Sequence, residues 1–513
     1  MRFRKRSLLS FAIVFGFLPT SPCLAQKEAL DESIRRREEQ SWNAALKIWT
    51  WAEPGYQEKK SSPLLAGMLE DAGFEVERKV AGIPTAFCAT YGAGKPVIGI
   101  VGEFDALPGL SQAAVPYRQP REDVTYGHAC GHHLFGVASA SASIALSEQI
   151  KSGKIKGTVR YYGCPAEEGG AAKVFMVRER LFDDCDAVLH WHPGNRNAAG
   201  DISSMARIAV KFRFRGKGAH AAGAPQLGRS ALDAVELTNY GAELLREHTP
   251  DFTRIHHVIT AGGEAPNVVP EFAEVYFYVR HPEAGVARSV YRRLELCAQA
   301  GALASETKLE IDYQGGTLEL IPNTALMQVA LANLRERNDL DYTVEERQFA
   351  VRIQETLDEP KPLESLREVV DQSSQMGRGS TDVGDISWVV PTTGFSTACW
   401  VPGTPGHTWQ ACAAGGTSIG RKGMHLAARV LAATAWDLYH SPQTLEAAKA
   451  ELQRRLGSRK YESLMLPGQK PPLDYRNPPQ NRPVIEEPDL PKVLGKESQE
   501  RRAPKQATVR KTR

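Results

Sequence analysis

Val97-Ile98-Gly99-Ile100-Val101 is apolar at every position, a run that suits a strand buried on both faces, as inside a parallel sheet. It stops abruptly at Gly102-Glu103-Phe104-Asp105. Thr158 to Gly163 and Ala187 to Trp191 behave alike, and Phe74 to Glu77 precedes them as a shorter extended piece. Helical patterns stand before and between these runs: Ser41 to Ala72, broken near Pro54-Gly55, then Gly136 to Gln149 and Ala172 to Leu181. Strands alternating with helices predict a doubly wound α/β unit. In such folds the chemistry gathers beyond the carboxyl ends of the strands.

From Ala206 the period changes. Ile208 to Phe214 alternates, Arg229 to Arg246 is helical, and Ile255 to Thr260 and Ala273 to Arg280 read as strands. A helix from Gly285 to Ala302 and a strand from Leu309 to Tyr313 complete the order β-α-β-β-α-β, that of a ferredoxin-like α+β unit. The α/β pattern resumes from Asn323 to Leu438, so the unit reads as an insertion: 26–205 and 319–442 form one α/β domain in two parts, with 206–318 between them. After one more helical stretch, Thr444 to Leu456, the chain turns Pro-rich and charged. Residues 443–513 are therefore expected to be a solvated, partly disordered tail, with too little apolar surface to fold alone.

With 513 residues the chain exceeds one ordinary core, in keeping with that division. A net charge of +3 without a basic stripe interleaved with aromatics speaks against a nucleic-acid partner. Arg2, Arg4, Lys5 and Arg6 precede an apolar run from Leu8 to Leu18, and Cys23-Leu24-Ala25 offers small residues before Gln26. Residues 1–25 thus read as a secretory signal, and the mature chain is expected in the periplasm with no membrane span. Its seven remaining cysteines are scattered and odd in number, which is no disulfide framework.

The strongest chemical signal is Gly127-His128-Ala129-Cys130-Gly131-His132-His133, four potential metal ligands within six residues at the mouth of a long small-residue helix. Residues two apart in a strand end or loop point the same way, so Cys130 and His132 can converge on one centre. Pro165-Ala166-Glu167-Glu168-Gly169-Gly170 follows a predicted strand; adjacent carboxylates there repel unless a cation or proton compensates. One can ligate metal while its neighbour holds water and takes its proton. His190-Trp191-His192-Pro193 closes another strand, and Gly406-His407-Thr408-Trp409 follows a turn-rich loop. Glu103 and Asp105, at the end of a buried strand, suit the orientation of a ligand or partner.

Together with Gly102 to Gln112, Tyr162 to Gly169, Gly216 to Ala221, Pro266 to Pro270, Gly379 to Asp385 and His407 to Gln410, these motifs resemble the di-metal aminoacylase/carboxypeptidase family of amidohydrolases over roughly Glu38 to His440. The resemblance implies that Cys130, His132, Glu168, His192 and His407 bind two divalent metal ions, zinc, manganese or cobalt, and that Glu167 is the base. It implies a zinc-peptidase-like catalytic domain whose inserted domain is lid and dimer interface. His220 would reach the developing oxyanion, often from the partner protomer, with Asn267 and Arg280 gripping the substrate. Many members carry aspartate where His133 stands, and many place the fourth ligand where His190 stands. Members that hydrolyse aminobenzoyl-glutamate have only the histidine matching His192, so His192 is taken and His133 is given no role. The implied reaction is hydrolysis of an amide in an N-acyl amino acid, aminobenzoyl-glutamate-like or dipeptide-like small molecule. A periplasmic protein that binds metal or peptide without turnover is the rival, though it has no need of Glu167. A zinc-dependent oxidoreductase lacks its glycine-rich dinucleotide fingerprint.

Overall fold

The computed structural model describes residues 22–476. The segment read as a signal lies outside them, apart from its last residues, where a helix Pro22–Arg36 begins. Fourteen strands among the described residues are numbered in chain order. The first eight are β1 (Glu75–Arg78), β2 (Phe87–Ala93), β3 (Val97–Glu103), β4 (Leu107–Pro108), β5 (Tyr126–Gly127), β6 (Gly157–Cys164), β7 (Ala187–Gly194) and β8 (Asn197–Ala199). Then follow β9 (Ala206–Arg215), β10 (Arg254–Ala261), β11 (Phe272–His281), β12 (Lys308–Thr317), β13 (Val369–Asp371) and β14 (Thr392–Ala398).

Eight strands form one sheet in the order β1-β2-β6-β3-β7-β14-β8-β13. Its centre, β6-β3-β7-β14, is parallel, and all seven residues of β3 are buried, as an all-apolar run requires. The sheet is mixed, because β2 and β8 run antiparallel to their neighbours on either side of that centre. Helices His132–Lys151 and Ser418–Tyr439 cover it; 17 of the 20 residues of the first are buried, which is why it is built from Ala, Ser and Gly. The carboxyl ends of β3, β6 and β7 therefore open on one edge, where Glu103, Glu167 and His192 stand.

The inserted unit is a four-stranded antiparallel sheet, β10-β11-β9-β12, the strand order of a ferredoxin-like fold. Strict alternation decides its two faces. Ile208, Val210, Phe212, Phe214, Val275, Phe277 and Val279 pack with helices Ala231–Arg246 and Ala284–Ser305 into a separate core. The residues between them, Arg207, Lys211, Arg213, Glu274, Tyr276, Tyr278 and Arg280, belong to the opposite face.

The expected tail begins later than residue 443. Helix Pro442–Leu456 buries Ala448 and Leu452, and the chain then lays Leu464 and Met465, both buried, against the inserted unit and the main core. Gly315 makes the room: at φ 105° it has no Cβ, which would lie 2.1 Å from Met465 Sδ. The segment cannot fold alone, but it can dock. Each large apolar side chain it buries contributes about 1.5–3 kcal/mol.

Candidate metal centre

The Gly127 to His133 cluster is a turn running into a helix, and no strand face is shared between Cys130 and His132. Gly131 carries φ 77° and precedes the helix that His132 begins, and a Cβ on Gly131 would stand 2.7 Å from Pro193. Only glycine meets both demands. The four candidates then separate. His128 Nε2 bonds the Ile48 carbonyl at 3.1 Å and His133 Nε2 the Gly415 carbonyl at 3.0 Å, so these two imidazoles tie the turn to its surroundings. Cys130 Sγ lies 3.3 Å from His192 Nε2. His190 packs over Gly394, where any Cβ would come within 2.2 Å of its ring, and lines a different cavity of about 160 Å³.

The carboxylate turn is held from behind. Glu58, fully buried, accepts from Ala166 N (2.9 Å) and Thr85 Oγ1 (2.8 Å), and burial pushes its carboxyl up to about 8. Ala166 sits at φ 54° and Gly169 at φ 141°, which turns the chain sharply enough to present Glu167 and Glu168. Glu168 N donates to Asp105 Oδ2 at 2.9 Å, and its Oε1 lies 3.2 Å from His407 Nε2. His407, also left-handed at φ 58°, is pinned by its own N–H to the Ala129 carbonyl at 3.1 Å. A residue from a distant stretch of the sequence is thereby delivered to the Cys130 turn.

These contacts sort into triads whose donor atoms lie within 4.8 Å of one another: Cys130, His132 and His192; Cys130, Glu168 and His407; Glu103, His132 and Glu167. The first two contain all five residues implied as ligands, and Cys130 belongs to both. Glu103 Oε2 and His132 Nε2 face each other at 3.1 Å, and Glu168 Oε1 faces His407 Nε2 at 3.2 Å, yet none of these three buried atoms makes a hydrogen bond of good geometry. Buried polar atoms are rarely left so. Divalent ions held by the first two triads would satisfy His132 Nε2 and Glu168 Oε1, and the thiol–imidazole–carboxylate set suits a divalent transition metal.

The electrostatics agree with that reading. Burial, then the neighbouring Glu168 carboxylate, pushes the Cys130 thiol up. Burial, with Glu103 and Glu168 adding to it, holds Glu167 well above the carboxylate range. Burial works against charge on His132, yet Cys130, Glu103 and Asp105 around it raise it well above the imidazole range. Its Nδ1 lies 2.9 Å from Asp105 Oδ1, which orients the ring. Burial and nearby His132 bring His192 down to about 4, leaving it the neutral imidazole that a metal takes. The centre carries an excess of negative groups, which positive ions balance.

The lid candidates stand apart. His220 and Asn267 are exposed in facing loops of the inserted unit, where Ala221 N donates to the Asn267 carbonyl at 3.0 Å. His220 Nδ1 accepts from Ala222 N and Gly223 N, at 3.2 and 3.0 Å, so its proton is on Nε2. Neither belongs to the three triads. Arg280 reaches across to the α/β domain, its Nη1 donating to Ser380 Oγ at 3.3 Å, and burial, with Arg207 nearby, holds its guanidinium below the usual range.

Sequence reasoning passed over Lys173, Asp382 and Arg476. Lys173 Nζ stands 2.8 Å from Glu103 and 2.6 Å from Asp382, all three buried. Arg476 Nη2 donates to the Glu168 carbonyl at 2.7 Å, with Tyr475 edge-on to Tyr56 beside it. The signal for Lys173 was a lone charge in the apolar run Ala171 to Val177. None existed for Arg476, in a segment read as solvated.

Comparison with known proteins places this arrangement. The M20 family described as "Peptidase dimerisation domain" matches residues 203–303, close to the inserted unit. The chain is 38% identical over 461 residues to one of the chains of the p-aminobenzoyl-glutamate hydrolase of Escherichia coli, covering 84% of this chain and 96% of that one. It is 28% identical to the Xaa-Arg dipeptidase of Mus musculus, covering 85% and 96%. The fold is shared with a dinuclear metal-binding peptidase of the M20 family from Bacillus subtilis, with a TM-score of 0.53 and 16% identity over 79% of this chain and 99% of that one.

Proposed function

The chain belongs to the M20 family of metal-dependent peptidases and amidohydrolases, and from that premise we propose that it hydrolyses the amide bond of an N-acyl amino acid, aminobenzoyl-glutamate-like or dipeptide-like substrate. The observation that carries the reading is the pair of ligand triads meeting at Cys130, with the Glu167 carboxyl beside them in a third group that shares His132.

Cys130, His132 and His192 would hold one divalent ion, and Cys130, Glu168 and His407 the other. When bound, such a pair supplies Lewis acidity toward the amide carbonyl and toward water. Glu167 accepts the proton of the water that attacks the carbonyl carbon. It then returns that proton to the leaving nitrogen as the C–N bond breaks. His220, protonated on Nε2, is suited to donate to the oxyanion that forms, and Arg280 to hold a substrate carboxylate. His220 does not touch the triads within one chain, which favours its action across a homodimer formed through the inserted unit. Zinc, manganese and cobalt all suit these donors, and the basic-then-apolar N-terminus supports export to the periplasm.

The rival reading is capture of metal or peptide without turnover. A binder gains nothing from a half-buried, proton-loving carboxylate beside its ligands. Chelator-sensitive release of amine from N-acyl amino acids, aminobenzoyl-glutamate and dipeptides, with each metal in turn, tests the proposal. Glu167→Ala is expected to abolish turnover while metal content, by elemental analysis, stays as in the parent. Loss of metal in that variant would reassign Glu167 as a ligand, and a parent inert toward the whole panel would leave the binder.

A further inference from the structure

Three stretches remote from one another in the sequence meet at Gly55. A Cβ on that residue would collide with Tyr475 Oη and stand 2.8 Å from Ala166 Cα, so the backbone there is pressed between the C-terminal segment and the start of the carboxylate turn. On the Gly55 side, Tyr56 Oη donates to the Gly170 carbonyl at 2.6 Å and Glu58 accepts from Ala166 N, which holds the turn at both ends. Its middle, with Glu167 and Glu168, is met by the C-terminal segment. Tyr475 lies against Gly169, where a Cβ would come within 3.0 Å of its ring, and stands edge-on to Tyr56 with ring centroids 5.7 Å apart. Arg476 stacks on the Tyr475 ring at 4.6 Å and donates from Nη2 to the Glu168 carbonyl at 2.7 Å.

The segment reaches the turn along a fixed route. Arg288 Nη2 donates to the Glu462 and Ser463 carbonyls at 3.0 and 3.1 Å, and Tyr313 Oη to that of Leu464 at 2.7 Å, which ties it to the inserted unit. Arg178 Nη1 then donates to the Gln469 carbonyl at 2.9 Å, which ties it to the α/β domain. The turn needs such support. Ala166 and Gly169 hold positive φ, 54° and 141°, and adjacent carboxylates repel; a turn of that kind keeps one shape only where its surroundings over-determine it. The hydrogen bond from Arg476 ends on the main chain of Glu168 itself, and Arg476 lies outside both cores. Its loss therefore bears on the turn before it bears on the fold.

We propose that Tyr475 and Arg476 are positioning residues: the C-terminal segment is a strap that sets the turn, so that Glu168 reaches its ion and Glu167 faces the attacking water only while the strap is seated. The kinetic half of the inference rests on the amide-hydrolase reading; the half that concerns metal affinity stands without it. Hydrogen bonds that support metal ligands from behind commonly carry roughly 10- to 100-fold in affinity or rate. The strap acts through the turn and not on the substrate, so its removal should be read in kcat and in the affinity of one ion, with KM little changed.

The full chain carrying Arg476→Ala is compared with the parent for kcat, KM, thermal midpoint and affinity for zinc alone, each with and without guanidinium at low, non-denaturing concentration. The expected result is a kcat lowered about tenfold, KM within about twofold, a midpoint near that of the parent, and one of two zinc equivalents bound about tenfold more weakly. Added guanidinium, which can occupy the vacated place, should restore part of both losses. Arg476→Gln, which keeps a donor and more of the packing, carries the same readings if Arg476→Ala does not fold. Parent-like kcat and zinc affinity, or losses that follow a lowered midpoint and ignore guanidinium, overturn the strap while amide hydrolysis stands. Zinc affinity weakened at one site and restored by guanidinium, in a protein inert toward every substrate, sustains the strap and sinks the hydrolase instead.

Discussion

Lys173 and His132 take different oxygens of Glu103: the Lys173 ammonium stands 2.8 Å from Glu103 Oε1 and His132 Nε2 3.1 Å from Oε2, and none of the three side chains is more than 2% exposed. Asp382 closes the group at 2.6 Å. Burial raises Glu103, and Lys173 is the strongest opposing influence. Removing one partner of a buried ion pair typically costs about 3–5 kcal/mol, because the other charge is stranded. Lys173→Met is accordingly expected to lower stability by roughly that amount and to reduce metal content, read by thermal unfolding and elemental analysis. A variant as stable and as metal-rich as the parent would show that the group is incidental.

Cys130 belongs to two triads and His407 to one. Cys130→Ser should therefore depress both metal equivalents, whereas His407→Ala should release one and spare the other. Titration with a chromophoric chelator separates the cases. If the cysteine variant keeps one ion at full occupancy, the two centres do not share a thiolate.

Asp385 is fully buried, accepting from Leu318 N and Tyr461 Oη at 2.9 Å each, and burial pushes it up to about 7. A folded-state value above the unfolded one means that the protonated carboxyl stabilises the fold. That contribution is complete below the unfolded value near 4 and is lost as pH rises through about 7. The loss amounts to roughly 4 kcal/mol. Asp385→Asn, which cannot ionise, is expected to flatten the fall in thermal midpoint between about pH 4 and pH 7 relative to the parent. Parallel pH profiles for the two proteins would refute it.

Leu464, Met465 and Tyr475 dock the segment after Leu456, and Arg476 ends at the Glu168 carbonyl. A chain stopped at residue 456 should lose both stability and turnover. Arg476→Ala should chiefly lower turnover, by about tenfold if the hydrogen bond is worth ~1.5 kcal/mol. Full activity in the truncated chain would return the segment to the status of a solvated tail.

Much of this molecule is written locally. The apolar run Val97 to Val101 demands a strand covered on both faces, the alternation from Ile208 to Phe214 demands a half-covered one, and the β-α-β-β-α-β order leaves few ways to build the inserted unit. Those are properties of neighbouring residues, and they are legible before any fold is known. Candidate ligands are local too, since four of them crowd into His128 to His133. What the tertiary structure alone decides is which of them face each other. His128 and His133 turn to carbonyls at Ile48 and Gly415, while Cys130 and His132 meet Glu168, His192 and His407. The same holds for Tyr475 and Arg476, whose few apolar neighbours bury nothing until they meet a groove built elsewhere. Pairing between residues far apart in the chain depends on the closed fold as a whole, and no short-range pattern records it.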